Sequence, residues 1–145
     1  MKELAIYFAG SIRGGREFSD TYHEIIDLLR SFGRVFTEHI GDEKRINQEG
    51  AFLSDVEIHD RDMDWLRRSD LVIAEVSTAS LGVGYEIGRA VHLEKPILCL
   101  IHVTASGRLS AMISGSDDLE VHEYGNMEDI RSVVAEFIKD LQSPH

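Results

Sequence analysis

Glu86 stands at a position where an acid has no ordinary structural purpose. In the segment SLGVGYEIGRA, a helical repeat of about 100° per residue places Glu86 on the same face as Val83 and Ala90. If Ser80 caps this helix, the acid of a capping box belongs at position 83, which is valine. The Glu86 carboxylate is therefore predicted to face the interior, where it is a candidate for chemistry.

A second inward acid is predicted in the segment SDVEIHDRDMDWLRRSD. On a helical wheel Asp62 shares the apolar stripe of Trp65 and Leu66, whereas Asp60 and Asp64 fall roughly opposite. Burial of an unpaired carboxylate is costly, so such a residue normally has a partner or a catalytic role. We predict a catalytic role for Asp62.

Two inward carboxylates on different elements suit the cleavage of a glycosidic bond. One acid attacks or stabilises the anomeric carbon, and the other transfers protons to or from the reacting groups. Tyr7, near the carboxyl end of the first predicted strand, could orient Glu86 through its hydroxyl, although an aromatic residue also suits a buried strand.

The segment AGSIRGGRE follows the first predicted strand and opens a helix, which is the arrangement of an anion site. A dinucleotide fingerprint would need glycine at Ile12, and an ATP-binding Walker loop would need Lys-Ser/Thr at Arg16 and Glu17. A phosphate other than that of ATP is therefore favoured, with Arg13 either clamping it or lying in solvent. The predicted binding residues are Gly10, Ser11, Ile12, Arg13, Gly14 and Gly15.

Three further residues are candidates for substrate binding. Ser80 can cap the helix that carries Glu86, donate to a phosphate, or do both. Gly82 lies on the face of Glu86, and His39, at the end of the second predicted strand, could face the same crevice. No metal ligands and no cofactor site are predicted.

Apolar runs alternate with stretches of helical period, which predicts parallel strands covered by helices on both faces. The chain is thus expected to form a single α/β domain, a Rossmann-like (flavodoxin-like) five-stranded parallel sheet. Gly33 is predicted to cap the first helix, and Gly41 to Gly50 to form a mobile loop. The predicted strands are Leu4 to Ala9, Arg34 to His39, Leu71 to Val76, Ile97 to Ile101 and Glu120 to Tyr124. The predicted helices are Phe18 to Phe32, Asp55 to Arg68, Leu81 to Glu94, Leu109 to Ile113 and Met127 to Leu141.

Composition excludes several classes of function. The 145 residues include 26 acids and 15 Lys or Arg, a net charge of −11 that disfavours binding to nucleic-acid polymers. Cys99 is the single cysteine, so a disulfide framework and a zinc-type cluster are excluded, and we interpret it as a core residue. Without a signal-peptide pattern or an apolar run of membrane-spanning length, a cytoplasmic protein is expected.

Five segments together resemble the 2′-deoxynucleoside 5′-phosphate N-hydrolases of the nucleoside 2-deoxyribosyltransferase superfamily. They are IYFAGSIRGGRE, DMDWLRRSDLVIAEVS, SLGVGYEIGRA, EKPILCL and SGRLSAMI. The resemblance implies one such domain over residues 1–145 and hydrolysis of deoxynucleoside monophosphates to a free base and 2-deoxyribose 5-phosphate. It implies that Glu86 is the nucleophile, that Asp62 assists protonation of the departing base, and that Tyr7 positions Glu86. The glycine loop and Ser80 would hold the 5′-phosphate.

The resemblance also implies a homodimer. Ser110 matches a serine that reaches the phosphate of the neighbouring subunit, with Met112 close by. From the sequence alone Ser110 is a serine on a helix surface, so this role depends wholly on the resemblance.

Three other functions remain open at this stage. A deoxyribosyltransferase would pass the sugar to an incoming base, and it would act on nucleosides without a 5′-phosphate. A ribonucleotide hydrolase acting on a substrate such as CMP would differ in accepting the 2′-hydroxyl. A non-catalytic nucleotide-binding module would explain the glycine loop but leave two inward acids without a purpose. The base preference is not predicted.

Overall fold

Five parallel strands form one sheet in the computed structural model, which describes residues 3–12 and 18–143 and leaves out the side chains of residues 43, 49 and 50. The strands are β1 (Leu4–Ala9), β2 (Gly33–Val35), β3 (Leu71–Glu75), β4 (Ile97–His102) and β5 (Glu120–Tyr124). Their order in the sheet is β2-β1-β3-β4-β5, which confirms the predicted fold class.

Helices cover both faces of the sheet in the described part of the chain. Successive side chains of β1 point to opposite faces: Ile6 and Phe8 pack with the first and last helices of the chain, whereas Tyr7 and Ala9 pack with the helices that precede and follow β3. Cys99 lies fully buried in the second of these cores, as predicted. The helices are α1 (Ser19–Arg30), α2 (Glu43–Phe52), α3 (Asp55–Arg68), α4 (Leu81–His92), α5 (Ala111–Ser114) and α6 (Met127–Gln142).

The strand order reverses direction between β1 and β3, which makes this point the topological switch of the sheet. Because all five strands are parallel, their carboxyl ends lie at one edge, and in folds of this class ligands bind at that edge beside the switch point. Tyr7 near the end of β1 and α4 after β3 both belong to this region.

The prediction of a mobile loop from Gly41 to Gly50 is wrong. Residues Glu43–Phe52 form α2, and the Asp42 carboxylate accepts hydrogen bonds from the amides of Lys44 and Arg45 at 3.0 and 3.3 Å. Asp42 therefore satisfies amides that have no partner within the first helical turn. The segment is polar, but it is rich in residues with high helix propensity.

The second strand is shorter than predicted, because β2 ends at Val35 and a 3₁₀ helix follows at Glu38–Gly41. Thr37 takes over the pairing with β1: its hydroxyl accepts from the Phe8 amide at 2.8 Å and donates to the Phe8 carbonyl at 2.6 Å. The Thr37 side chain thus replaces the backbone hydrogen bonds that a longer β2 would make with β1, and the chain can turn away after Val35.

Gly33 does not cap the first helix, which ends at Arg30 and is followed by Ser31 at the cap position. Gly33 begins β2, where a Cβ atom would lie 2.2 Å from the carbonyl oxygen of Leu4. The glycine is required by the close approach of two strands, and the prediction of a C-cap is wrong.

The remaining boundaries differ little from those predicted. The predicted bounds of β1, β5 and α3 match the structure, whereas the short fifth helix begins two residues later than predicted and follows a 3₁₀ helix at Val103–Arg108. Within the described ranges, no helix combines the length and the apolar character needed to cross a membrane.

Candidate active site

Glu86 and Tyr7 are in direct contact. Ser80 starts α4 by accepting the Val83 amide, and the helical repeat then turns Glu86 towards β1, where the fully buried Tyr7 hydroxyl donates to its carboxylate. Burial, together with a smaller effect of the negative charge of Asp62, raises the pKa of Glu86 to about 8, although the Tyr7 hydrogen bond opposes part of the rise. Burial and the two carboxylates also raise the pKa of Tyr7 well above its usual value.

Asp62 lies on the inner face of α3, as its helical phase predicts. Its side chain is 21% exposed, whereas those of Asp60 and Asp64 are 72% and 52% exposed. A capping box between Ser54 and Glu57 fixes the start of this helix and hence its phase. The structure therefore brings the two predicted acids and Tyr7 into one electrostatically coupled group.

Arg61 was not predicted as a site residue, yet it lies at the acid pair. Its Nε and Nη2 atoms both donate to Oδ1 of Asp62, at 3.1 and 2.9 Å, and its guanidinium lies 4.4 Å from the centre of the Trp65 ring. The positive charge of Arg61 lowers the pKa of Tyr7 against the larger effects that raise it. Arg61 therefore supplies positive charge to a centre that otherwise contains two acids.

His39 joins this end of the site from the 3₁₀ helix that follows β2, not from the end of a strand. It is almost fully buried, its ring centre is 5.7 Å from that of Trp65, and its Nε2 is 3.4 Å from Nη2 of Arg61. The structure thus places His39 beside Arg61 and Asp62, and its contact with substrate remains a prediction.

Ser80 is the N-cap of α4, the helix that carries Glu86, and three glycines lie within this helix. The Ser80 hydroxyl accepts from the Val83 amide at 3.2 Å, so the hydroxyl hydrogen can still be donated, and its two predicted roles are compatible. Gly82 is exposed, and a Cβ atom at Gly84 or Gly88 would have no described atom within 4 Å. Both glycines lie two positions from Glu86, roughly 200° around the helix, so it is the outer surface of α4 that is open in the described part of the protein.

The described part of the glycine loop is anchored to α1. A Cβ atom at Gly10 would lie 3.0 Å from the Tyr22 ring, and the Ser11 amide donates to the Tyr22 hydroxyl at 3.2 Å. Ile12 is half-buried against the core. The other predicted residues of this loop, Arg13, Gly14 and Gly15, lie outside the described residues, and phosphate binding by the loop remains a prediction.

Ser110 and Met112 lie at the surface, away from the described acid pair in sequence and on a different element. Ser110 caps α5 by accepting the Met112 amide at 3.2 Å, and Met112 is 82% exposed. Their role in a neighbouring subunit remains a prediction.

Sequence reasoning also missed Glu75, the last residue of β3. Glu75 is fully buried and accepts hydrogen bonds from the Ser77 amide, the Ser77 hydroxyl and the Tyr124 hydroxyl. Burial raises its pKa, and these hydrogen bonds partly oppose the rise. The available signal was an acid that ends an otherwise apolar strand, LVIAE.

No group of three or more His, Cys, Asp or Glu side chains among the described residues has a geometry that could hold a metal ion.

The fold and the site define an α/β protein with two coupled carboxylates at the topological switch point, the arrangement expected for cleavage of a glycosidic bond. The nucleoside 2-deoxyribosyltransferase family model matches residues 6–132, and the chain belongs to this family.

Two relatives are named for activity on a nucleotide. The 5-hydroxymethyl-dUMP N-hydrolase of Tetraodon nigroviridis is 45% identical over 142 residues, covering 94% of this chain and 99% of the relative. The protein of the same name from Mus musculus is 50% identical over 128 residues, covering 86% of this chain and 74% of the relative. The shares of this chain that are covered, 94% and 86%, show that the similarity extends through most of the chain.

A solved structure shares the fold. The CMP N-glycosidase BcmB of Clostridium botulinum superimposes with a TM-score of 0.61 at 18% identity, covering 91% of this chain and 98% of that chain.

Proposed function

We propose that this protein hydrolyses the N-glycosidic bond of 2′-deoxynucleoside 5′-monophosphates, releasing the base and 2-deoxyribose 5-phosphate. The observation that carries the proposal is the hydrogen bond from the buried Tyr7 hydroxyl to Glu86, beside Asp62. The names of relatives at 45% and 50% identity support hydrolysis of a deoxynucleotide.

In the first chemical step the Glu86 carboxylate attacks C1′ and forms a glycosyl ester. The electron pair of the C1′–N bond leaves with the base, and Asp62 assists protonation of that base. Tyr7 holds one carboxylate oxygen of Glu86 by its hydrogen bond and so limits the rotation of the nucleophile.

A proton must leave Glu86 before the attack. With a pKa of about 8, Glu86 is mostly protonated at neutral pH in the unliganded protein. Transfer of this proton to Asp62 when the substrate binds would ionise the nucleophile and equip Asp62 to protonate the base. The electrostatic coupling of the two groups supports this route.

In the second step a water molecule attacks C1′ of the ester. The C1′–O bond to Glu86 breaks, its electron pair returns to the carboxylate, and Asp62 accepts a proton from the attacking water. The products are 2-deoxyribose 5-phosphate and an enzyme ready for a further cycle.

The decisive experiment for the proposed function compares substrates. Deoxynucleoside monophosphates, including 5-hydroxymethyl-dUMP, are incubated with the protein beside ribonucleotides and deoxynucleosides, and the free base is quantified by chromatography. We expect kcat/KM for the monophosphates to exceed that for the deoxynucleosides by about 100-fold, the value of one or two charge-assisted hydrogen bonds to phosphate.

Other outcomes of this comparison separate the alternatives. Equal kcat/KM with and without the 5′-phosphate would refute a phosphate-dependent hydrolase. Transfer of deoxyribose to an added base, at the expense of hydrolysis, would favour the base-exchange reaction, and release of cytosine from CMP would show that a 2′-hydroxyl is accepted.

We further propose a cytoplasmic homodimer in which Ser110 and Met112 complete the neighbouring active site. Ser110→Ala should weaken monophosphate binding by about 1.5 to 3 kcal/mol, the value of a charge-assisted hydrogen bond, and leave deoxynucleoside binding unchanged. Titration calorimetry with a monophosphate and with its deoxynucleoside measures both affinities.

Mixed dimers test the shared site directly. A Glu86→Gln subunit paired with a Ser110→Ala subunit would contain one site with both changes and one site with neither. Activity per mixed dimer should approach half that of the unsubstituted protein. If subunit exchange is confirmed and the mixed dimer, at a substrate concentration below KM, is no more active than the Ser110→Ala homodimer, Ser110 serves the site of its own chain or no site.

A further inference from the structure

Glu75 is a buried acid that the proposed reaction does not use. Its Oε1 accepts the Ser77 amide at 2.6 Å, and its Oε2 accepts the Ser77 hydroxyl at 2.8 Å and the Tyr124 hydroxyl. Both carboxylate oxygens therefore have donors, and two of the three donors belong to one residue of the β3–α4 loop.

Ser77 links this loop to the next strand. While its hydroxyl donates to Glu75, its oxygen accepts the backbone amide of His102 at 2.8 Å. The backbone and the side chain of Ser77 are both fixed in this way, three residues before Ser80. The end of β4 is secured at the same point, with the His102 ring packed edge-on against Tyr124 at 5.2 Å.

Burial of a carboxylate in a strand is energetically costly. The preceding residues of β3, Leu71 to Ala74, are apolar and buried. An acid here must be desolvated, and burial does raise the pKa of Glu75. What the acid supplies, and an apolar residue cannot, is two acceptors that fix the direction of the loop after β3.

We propose that Glu75 is a positioning residue for the 5′-phosphate end of the substrate: through Ser77 it fixes the loop that presents the Ser80 hydroxyl and the first amides of α4. Glu75 itself makes no contact with substrate. This inference rests on the proposed function, because it assigns the phosphate to the Ser80 end of the crevice.

The test compares Ser77→Ala with Ser69→Ala. Ser77→Ala removes the hydroxyl that joins Glu75 to β4. Ser69 is the matched control, a buried serine before the opposite end of β3 whose hydroxyl donates to the Trp65 carbonyl at 2.7 Å. We expect Ser77→Ala to raise KM for a deoxynucleoside monophosphate about 10-fold, with kcat within about twofold, as for the loss of one hydrogen bond to a charged group. Its kcat/KM for the deoxynucleoside, and both constants of Ser69→Ala, should stay within about twofold.

Two further variants keep the test informative if Ser77→Ala is poorly folded. Tyr124→Phe removes one donor to Glu75 and keeps the ring, and it should raise KM for the monophosphate about threefold with the same selectivity. Glu75→Gln keeps the size of the side chain and one acceptor oxygen, and its KM for the monophosphate should lie between those of Ser77→Ala and Tyr124→Phe. Thermal melting of each variant verifies that it is folded at the assay temperature.

The inference is overturned if KM for the monophosphate is unchanged in folded Ser77→Ala, or if activity on both substrates falls equally. Calorimetry with inorganic phosphate gives the same comparison without turnover, and its dissociation constant should rise about 10-fold in Ser77→Ala and stay unchanged in Ser69→Ala. An unsubstituted protein without hydrolase activity would refute the proposed function, whereas the phosphate titration would still decide the role of Glu75.

Discussion

Glu86→Gln should fold like the unsubstituted protein and release free base at least about 1,000-fold more slowly, the scale of loss seen when a covalent nucleophile is removed. The amide preserves the size of the side chain and can still accept the hydrogen bond of Tyr7, but it cannot form the glycosyl ester. Chromatographic assay of free base with a saturating deoxynucleoside monophosphate measures the loss. Turnover close to that of the unsubstituted protein would exclude Glu86 as the nucleophile.

The pH dependence gives an independent test of the same assignment. Because kcat/KM reports the groups of the free enzyme, and the reaction uses the proton that Glu86 passes to Asp62, kcat/KM should fall as the pH rises through about 8, where that proton is lost. A pH profile of kcat/KM measures this fall. A profile that stays level up to a pH of about 9 would contradict the raised pKa of Glu86 or the use of its proton in the reaction.

The stability of the same variant verifies that the activity is lost for the stated reason. The pKa of Glu86 is raised in the folded state, so its ionisation destabilises the fold progressively as the pH rises from about 4.5 to about 8. Glutamine has no such ionisation. The melting temperature of Glu86→Gln should therefore equal or exceed that of the unsubstituted protein, with a difference that grows between pH 5 and 8 to about 3 °C or more.

The two acids could be predicted from the sequence because helical periodicity is a local property. Each acid has apolar neighbours within a few residues in the sequence, on α3 for Asp62 and on α4 for Glu86. These neighbours determine which side of the helix is buried. The strands followed from the same kind of signal, since a sheet covered on both faces requires continuous apolar runs.

Other parts of the site depend on contacts between distant segments. Arg61 looks like one more charge on a polar helix, and only the structure places its guanidinium between Asp62 and the Trp65 ring. The early end of β2 follows from a hydrogen-bonded exchange between Thr37 and Phe8, 29 residues apart. Contacts between residues so far apart produce no periodic pattern in the sequence from which they could be predicted.

The helix at Glu43–Phe52 was missed for a different reason. Its residues have high helix propensity but almost no apolar face, so periodicity gave no signal and polarity suggested a loop. The Asp42 cap was the available clue. Ser110 and Met112 form the opposite case, because only the family resemblance singles them out from other surface residues.

Asp62→Asn should lower kcat by about 100- to 10,000-fold, the usual contribution of a general acid or base. Asparagine keeps the shape of the side chain but can neither hold nor give the proton that the departing base requires. Asp60→Asn and Asp64→Asn are matched controls on the outer face of the same helix, and both should stay within about twofold of the unsubstituted protein. Equal losses in all three variants would contradict the assigned face of α3.

The residual activity of Asp62→Asn carries a second signature that misfolding would not produce. The charge of Asp62 raises the pKa of Glu86, and in the variant the proton of Glu86 has no carboxylate to receive it. The residual kcat/KM of Asp62→Asn should therefore rise with pH as Glu86 ionises, whereas the unsubstituted protein and Asp64→Asn should lose activity as the pH rises through about 8. The pH profile of each protein, measured with the same monophosphate, detects the difference. A variant profile that falls through the same pH as that of the unsubstituted protein would mean that the two carboxylates are not coupled and that the proton does not pass between them.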